Sequence, residues 1–165
     1  MNANNAIPVG ISDYKASRSP DMLVTYALGS CVGVALYDSA SHIGGLSHIM
    51  LPSSSLRANG AIDDRMKYAD TAIPDLIDSL VRLGADRSML RAKIAGGANM
   101  FNSAGTSFVD TIGDRNTEAV KKALAQHGIP LVAEDVGSNY GRTVYFLLED
   151  GRLRVQSLGR HINEI

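Results

Sequence analysis

Apolar positions recur in two rhythms along the 165 residues of this chain. Where Val, Ile, Leu and Tyr alternate with small or polar residues the spacing predicts strands, because successive strand side chains point to opposite faces. "MLVTYAL" (Met22–Leu28) and "VGVALYD" (Val32–Asp38) are two such runs. "GGLSHIMLP" (44–52) is a third, ending where Pro52 removes a backbone donor. "RAKIAGGANMF" predicts a short strand running into a glycine turn, and "IPLVAEDVG", "RTVYFLLED" and "RLRVQSL" predict three more, the last two joined by a tight turn at Asp150-Gly151. The other rhythm is helical. Met66, Ala69, Ile73, Leu76, Ile77, Leu80 and Leu83 predict a helix over 65–83, capped by Asp63 or Asp64 and stopped by Gly84. "NTEAVKKALAQHG" predicts a second, with Ala119, Val120, Ala123 and Leu124 on one face and Gly128 as its stop. The first twenty residues carry neither rhythm and are expected to lie along an edge or to be mobile. Strands outnumber helices and many neighbours read as antiparallel. The expected fold class is therefore α+β, an α/β layered sandwich of mixed, largely antiparallel sheets covered by two main helices.

The length suits one compact domain, 1–165, and no repeat, low-complexity run or linker divides it. Lys and Arg number 16 against 17 Asp and Glu, scattered rather than clustered, so no nucleic-acid partner is expected. The opening stretch lacks the basic start and apolar core of a signal peptide, and no later run approaches the length of a membrane span, so direct membrane insertion is not expected. The single cysteine excludes an intramolecular disulfide and a multi-cysteine zinc site, and its natural setting is a reducing compartment. A cytoplasmic location is the expectation. No His, Cys or carboxylate cluster has metal-ligand spacing, and "AGGAN" lacks the Lys-Ser or Lys-Thr of a phosphate loop, so neither metal nor cofactor is implied.

The lone thiol, Cys31, has two readings. Free cysteines commonly serve as small buried hydrophobes. As a nucleophile it needs a base, because an unperturbed thiol is mostly protonated at neutral pH. Of the four histidines, His127 ends a helix, His161 lies in the polar tail and His42 in a turn, whereas His48 falls inside a strand. A hairpin with Ser39-Ala40 at its tip would set Cys31 directly opposite His48, at a Cβ separation of about 4.5–5.5 Å. Alternation then puts Val32, Val34, Leu36, Ile43 and Ile49 on one face and Cys31, Gly33, Gly44 and His48 on the other, where small neighbours would leave the pair accessible. Such a pair is expected as thiolate and imidazolium, with a thiol pKa below that of free cysteine. Thr25 is a candidate to orient the imidazole, and backbone amides around Gly29, Ser30 and Cys31 are candidates for an oxyanion hole. The turn at Gly96-Gly97 is expected to approach the site closely, and both glycines join Gly29 and Ser30 as substrate or oxyanion candidates. Arg115, Asn116 and Arg142 read as structural hydrogen-bonding residues. Met100-Phe101 reads either as core or as a docking pair.

"TYALGSCVGVALYD" followed by "GGLSHIMLP" resembles the signature of the CheD family, chemoreceptor glutamine deamidases, and the resemblance runs on through "KYADTAI", "AKIAGGANMF", "IGDRNTEAVKKAL" and "AEDVGSNYGRTVYF". It departs at Gly137-Ser138, where the family often shows a double glycine. The resemblance implies a protein-glutamine glutaminase on a sandwich similar to the catalytic domain of cytotoxic necrotizing factor toxins. Its nucleophile falls on Cys31, its histidine on His48 and its threonine on Thr25. The implied substrates are methyl-accepting chemoreceptor cytoplasmic domains, with glutamyl methyl esters as a secondary substrate. A binding module regulating a CheC-type phosphatase and a cysteine hydrolase of small amides remain the alternatives.

Overall fold

The structure, a computed structural model, describes residues 6–57, 64–100, 111–157, 159 and 162–165. Two five-stranded sheets and two helices stack in three layers. One sheet orders β1 (Ala6–Pro8), β3 (Met22–Leu28), β8 (Arg142–Leu147), β9 (Leu153–Ser157) and β10 (Ile162–Glu164). The other orders β2 (Tyr14–Arg18), β5 (Ile43–Ile49), β4 (Val32–Asp38), β6 (Arg91–Gly96) and β7 (Leu131–Val136). All ladders are antiparallel except β1 with β3 and β6 with β7, so the expected mixed, largely antiparallel α+β sandwich is what forms.

The central strand β4 is buried on both faces. Its even-numbered side chains Val32, Val34 and Leu36 join Ile43 and Ile49 of β5 in a core closed by α1 (Ala69–Leu83) and α2 (Ile112–Gln126). Its odd-numbered Ala35 and Tyr37 join Leu46 in a second core against Leu23, Leu28, Val144 and Phe146 of the other sheet. The division of faces expected from alternation is the one observed. The odd face does not stay accessible, because a whole sheet covers it.

Three strands escape sequence patterning. β1, β2 and β10 are short, and each lies at the edge of its sheet. Ala6–Pro8 and Tyr14–Arg18 thus run along sheet edges. The first helix begins later than its pattern predicts: Asp64 precedes a single 3-10 turn (Arg65–Lys67) and makes no side-chain cap bond, while Asp63 lies outside the described residues. Tyr68 occupies the cap position of α1, and the Leu51 carbonyl accepts the Ala69 N–H at 3.1 Å. Backbone from β5 thus supplies part of what a side-chain cap would. Gly84 closes α1 with φ 110°, as expected. The second helix starts earlier, at Ile112, because Thr111 and Asp114 form a reciprocal capping box.

Leu76 is fully buried between α1 and the sheet. Leu76→Ala should lower unfolding free energy by about 2–5 kcal/mol, measured by urea denaturation; a loss below about 1 kcal/mol would show that the helical layer contributes little to the core.

Candidate active site

Thr25 on β3 and His48 on β5 belong to different sheets and meet across the inter-sheet core, both fully buried. Oγ1 of Thr25 lies 2.7 Å from Nδ1 of His48 and 2.7 Å from the carbonyl oxygen of Val9. A hydroxyl has one proton, and a carbonyl can only accept. Thr25 therefore donates to Val9 and accepts from His48, which places the ring proton on Nδ1. Nε2 keeps its lone pair and has no hydrogen-bond partner. The N-terminal segment holds this arrangement from behind: Val9 N–H donates to Val24, Ser12 N–H to His48, and His48 N–H to Asp13.

Cys31 stands half-buried just before β4, against the inter-sheet core. The ladder pairs Gly33, not Cys31, with His48. Two positions separate this from the expected register, because the hairpin has no two-residue tip. Its loop spans residues 39–42 and is built on the Asp38 carboxylate, which accepts from Ala40 N–H, Ser41 N–H and the Ser41 hydroxyl. A slip of two preserves the face. Cys31 is thus a diagonal neighbour of His48, at a typical Cβ separation of about 7–8 Å or somewhat less, a gap that an imidazole can span. No hydrogen bond joins the two in this structure.

A family model described as CheD chemotactic sensory transduction matches residues 50–157. Proteins of Clostridium novyi (strain NT) and Clostridium kluyveri, each named probable chemoreceptor glutamine deamidase CheD, are 47% and 48% identical over 159 residues, spanning 96% of this chain and 97% of theirs. The chain belongs to the CheD family. The family-model match begins at Met50, beyond Thr25, Cys31 and His48. A solved structure, the Bacillus licheniformis hypothetical protein YfiH, overlaps with a TM-score of 0.46 and 16% identity, covering 74% of this chain and 49% of that one.

Burial decides the charge state of this CheD-family pair. It pushes the Cys31 thiol up, opposed by a hydrogen bond from the residue's own amide, and pushes His48 down to about 4. The resting pair is a thiol beside a neutral imidazole. The expected thiolate and imidazolium do not form at rest, because the full burial of His48 and the partial burial of Cys31 disfavour the charged form of each.

The turn carrying Cys31 is held by its glycine neighbours. Gly97 N–H donates to the Cys31 carbonyl and Ala98 N–H to the Gly29 carbonyl, each at 2.8 Å. Gly96, at φ 114°, lies so close that a Cβ there would sit 2.2 Å from the Cys31 oxygen. Gly96 and Gly97 therefore buttress the turn. Gly29 N–H donates to Ala27 and Gly97 N–H to Cys31, so neither is free for an oxyanion, whereas the amides of Ser30 and Cys31 make no backbone-to-backbone bond among the described residues.

Arg142 is buried against Asp135 and the Gly137 carbonyl, a loop-holding role. Gly137 and Ser138 take φ 79° and 62°, so the serine adopts the left-handed conformation. Met100 is exposed and lies over Gly29, while Phe101 and His161 lie outside the described residues. His42 approaches the Tyr37 hydroxyl and the His127 carbonyl accepts from Arg87, both away from Thr25. Among the described residues no His, Cys, Asp or Glu group has metal-site geometry.

The depressed His48 pKa has a thermodynamic consequence. An unfolded histidine titrates near 6.5, so between about pH 6.5 and 4 the unfolded chain binds a proton that the folded chain does not. Stability must rise with pH across that window and be lost as pH falls through it. Wild-type protein should lose about 3 kcal/mol more than His48→Gln between pH 7.5 and 4 in urea titrations, and equal losses would contradict a neutral buried imidazole.

Proposed function

We propose that this chain is a cytoplasmic protein-glutamine deamidase that converts selected glutamines of chemoreceptor cytoplasmic domains to glutamate. The relatives named as chemoreceptor glutamine deamidases support the substrate class. One observation carries the chemistry: the Thr25 hydroxyl holds the His48 proton on Nδ1, leaving a bare Nε2 on the strand face shared with the chain's only thiol. Among the described residues no helix is long and apolar enough to cross a membrane.

In this mechanism Nε2 of His48 takes the Cys31 proton as sulfur attacks the glutamine side-chain amide carbon. Charge develops on the amide oxygen, where the Ser30 N–H is the available donor. The C–N bond breaks and the imidazolium returns its proton to the departing ammonia. Nε2 then deprotonates a water that attacks the γ-glutamyl thioester, releasing glutamate and restoring the thiol. Glutamine and water thus give glutamate and ammonia. A glutamyl methyl ester has the same acyl carbon and a better leaving group, so receptor methyl esters are a second substrate. A neutral starting pair suits this base role, because an imidazole already protonated could not accept the thiol proton.

Cys31→Ala should lose deamidation of a chemoreceptor cytoplasmic domain, followed by intact mass and peptide mapping, while binding the domain with near-native affinity. The substitution removes a nucleophile and little contact surface. A CheC-type phosphatase, the second proposed partner, should bind this variant too. Undiminished turnover would end the Cys31 mechanism; restored chemotaxis with receptors left unmodified would make binding the main function.

A further inference from the structure

Beyond the Val32–Ile49 pair the two strands that carry the site part company. On one side the Cys31 and Gly29 carbonyls accept from Gly97 and Ala98, drawing the chain toward β6. On the other, Met50 and Leu51 N–H both donate to the Lys67 carbonyl, drawing the end of β5 toward α1. The side chain of Asn116, on the first turns of α2, stands in the fork. Its Nδ2 donates to the Ser30 carbonyl at 3.0 Å and to the Met50 carbonyl at 2.9 Å. Both hydrogens of one amide group are thereby used, one on the residue before Cys31 and one on the residue two beyond His48. Asn116 is fully buried, so water cannot stand in for those donors.

We infer that Asn116 is a positioning residue: its side-chain amide replaces the missing rung at the end of the β4–β5 ladder and sets the spacing between the Cys31 sulfur and His48 Nε2. The inference rests on the Cys31–His48 reading. The diagonal placement makes that spacing sensitive, because small displacements on either side of the fork change the reach of a proton transfer. Without the bridge the two carbonyls have no donor between them, and the turn and strand end separate. Asn116 hydrogen-bonds main-chain carbonyls and makes no hydrogen bond to the sulfur or the ring, so its effect must pass through main chain.

The test uses iodoacetamide alkylation of Cys31, which needs no receptor, together with deamidation kinetics on a chemoreceptor domain. Asn116→Ala should slow alkylation at neutral pH by about 10- to 100-fold, the range in which displacement of a catalytic group is felt. It should lower kcat similarly with KM within about threefold. In a His48→Ala background the same substitution should cause no further slowing, because the coupling it maintains is already gone. Val120→Ala, a core truncation on the same helix, should lower stability and leave the alkylation rate of folded protein within about twofold. Circular dichroism selects the variant, with Asn116→Ser, which keeps one donor, used if the alanine protein does not fold. Equal slowing in both backgrounds, an unchanged rate in folded protein, or slowing by Val120→Ala as large as by Asn116→Ala would overturn the inference. So would failure of both Asn116 variants to fold, which would make the residue a requirement of the fold itself. If His48→Ala alone leaves alkylation unchanged, the Cys31–His48 reading fails, and this inference with it.

Discussion

The Thr25 hydroxyl has one proton, and the Val9 carbonyl takes it. His48 is consequently a donor through Nδ1 and can be nothing but an acceptor at Nε2. Much of the remaining structure serves to keep this relation in place. Val9 must be fixed, which its own bond to Val24 achieves at the edge of one sheet. Thr25 must face the other sheet at a position where β3 departs from regular pairing, with its register shifting between Thr25 and Leu28. His48 must lie opposite a residue without a side chain, and Gly33 is its ladder partner. A buried polar chain of this kind is stabilising only when its donors and acceptors are matched. Within the Val9–Thr25–His48 chain the atom left without a partner is Nε2, the one to which the proposed mechanism gives the base role.

Burial performs two tasks at once. It excludes water from His48, so that the unpaired nitrogen is not occupied by solvent, and it keeps the ring neutral well below the ordinary histidine range. Cys31 occupies a different zone, half-exposed at the end of β4, where a substrate side chain can arrive. In the proposed mechanism a fully buried base and a rim-placed nucleophile allow proton transfer away from solvent without sealing off the acyl carbon. The same burial raises the energy of both charged forms. Charge separation thus belongs to the reaction rather than to the resting protein.

β4 makes the layered arrangement possible because both of its faces are apolar. One face joins the helices, the other joins the second sheet, and Cys31 extends from its end into the gap between elements. The helical layer reaches the site through the first turns of α2, where the capping box fixes the helix start and Asn116 enters the fork beneath the nucleophile turn. Gly96 closes the opposite side of that turn by approaching closer than any side chain would allow, and Gly97 packs as closely against Thr117 and Gly113 of α2.

Local patterning determined seven of the ten described strands, both helices and the face of every residue on β4 and β5, because side-chain period alone decides these properties. It also isolated one thiol and the one histidine lying within a strand. The exact register was not legible: Asp38 could build a four-residue loop only through its side chain, and a slip of two leaves the alternating pattern unchanged. β1, β2 and β10 were hidden because short edge strands bury too little to impose a period. Val9 carries no signal at all, since any residue could offer the carbonyl that Thr25 uses. The sheet that covers His48 is assembled largely from strands a hundred residues away, and it alone decides that the histidine is dry, neutral and of one tautomer. Chemistry-bearing residues are a property of the sequence; their protonation is a property of what folds over them.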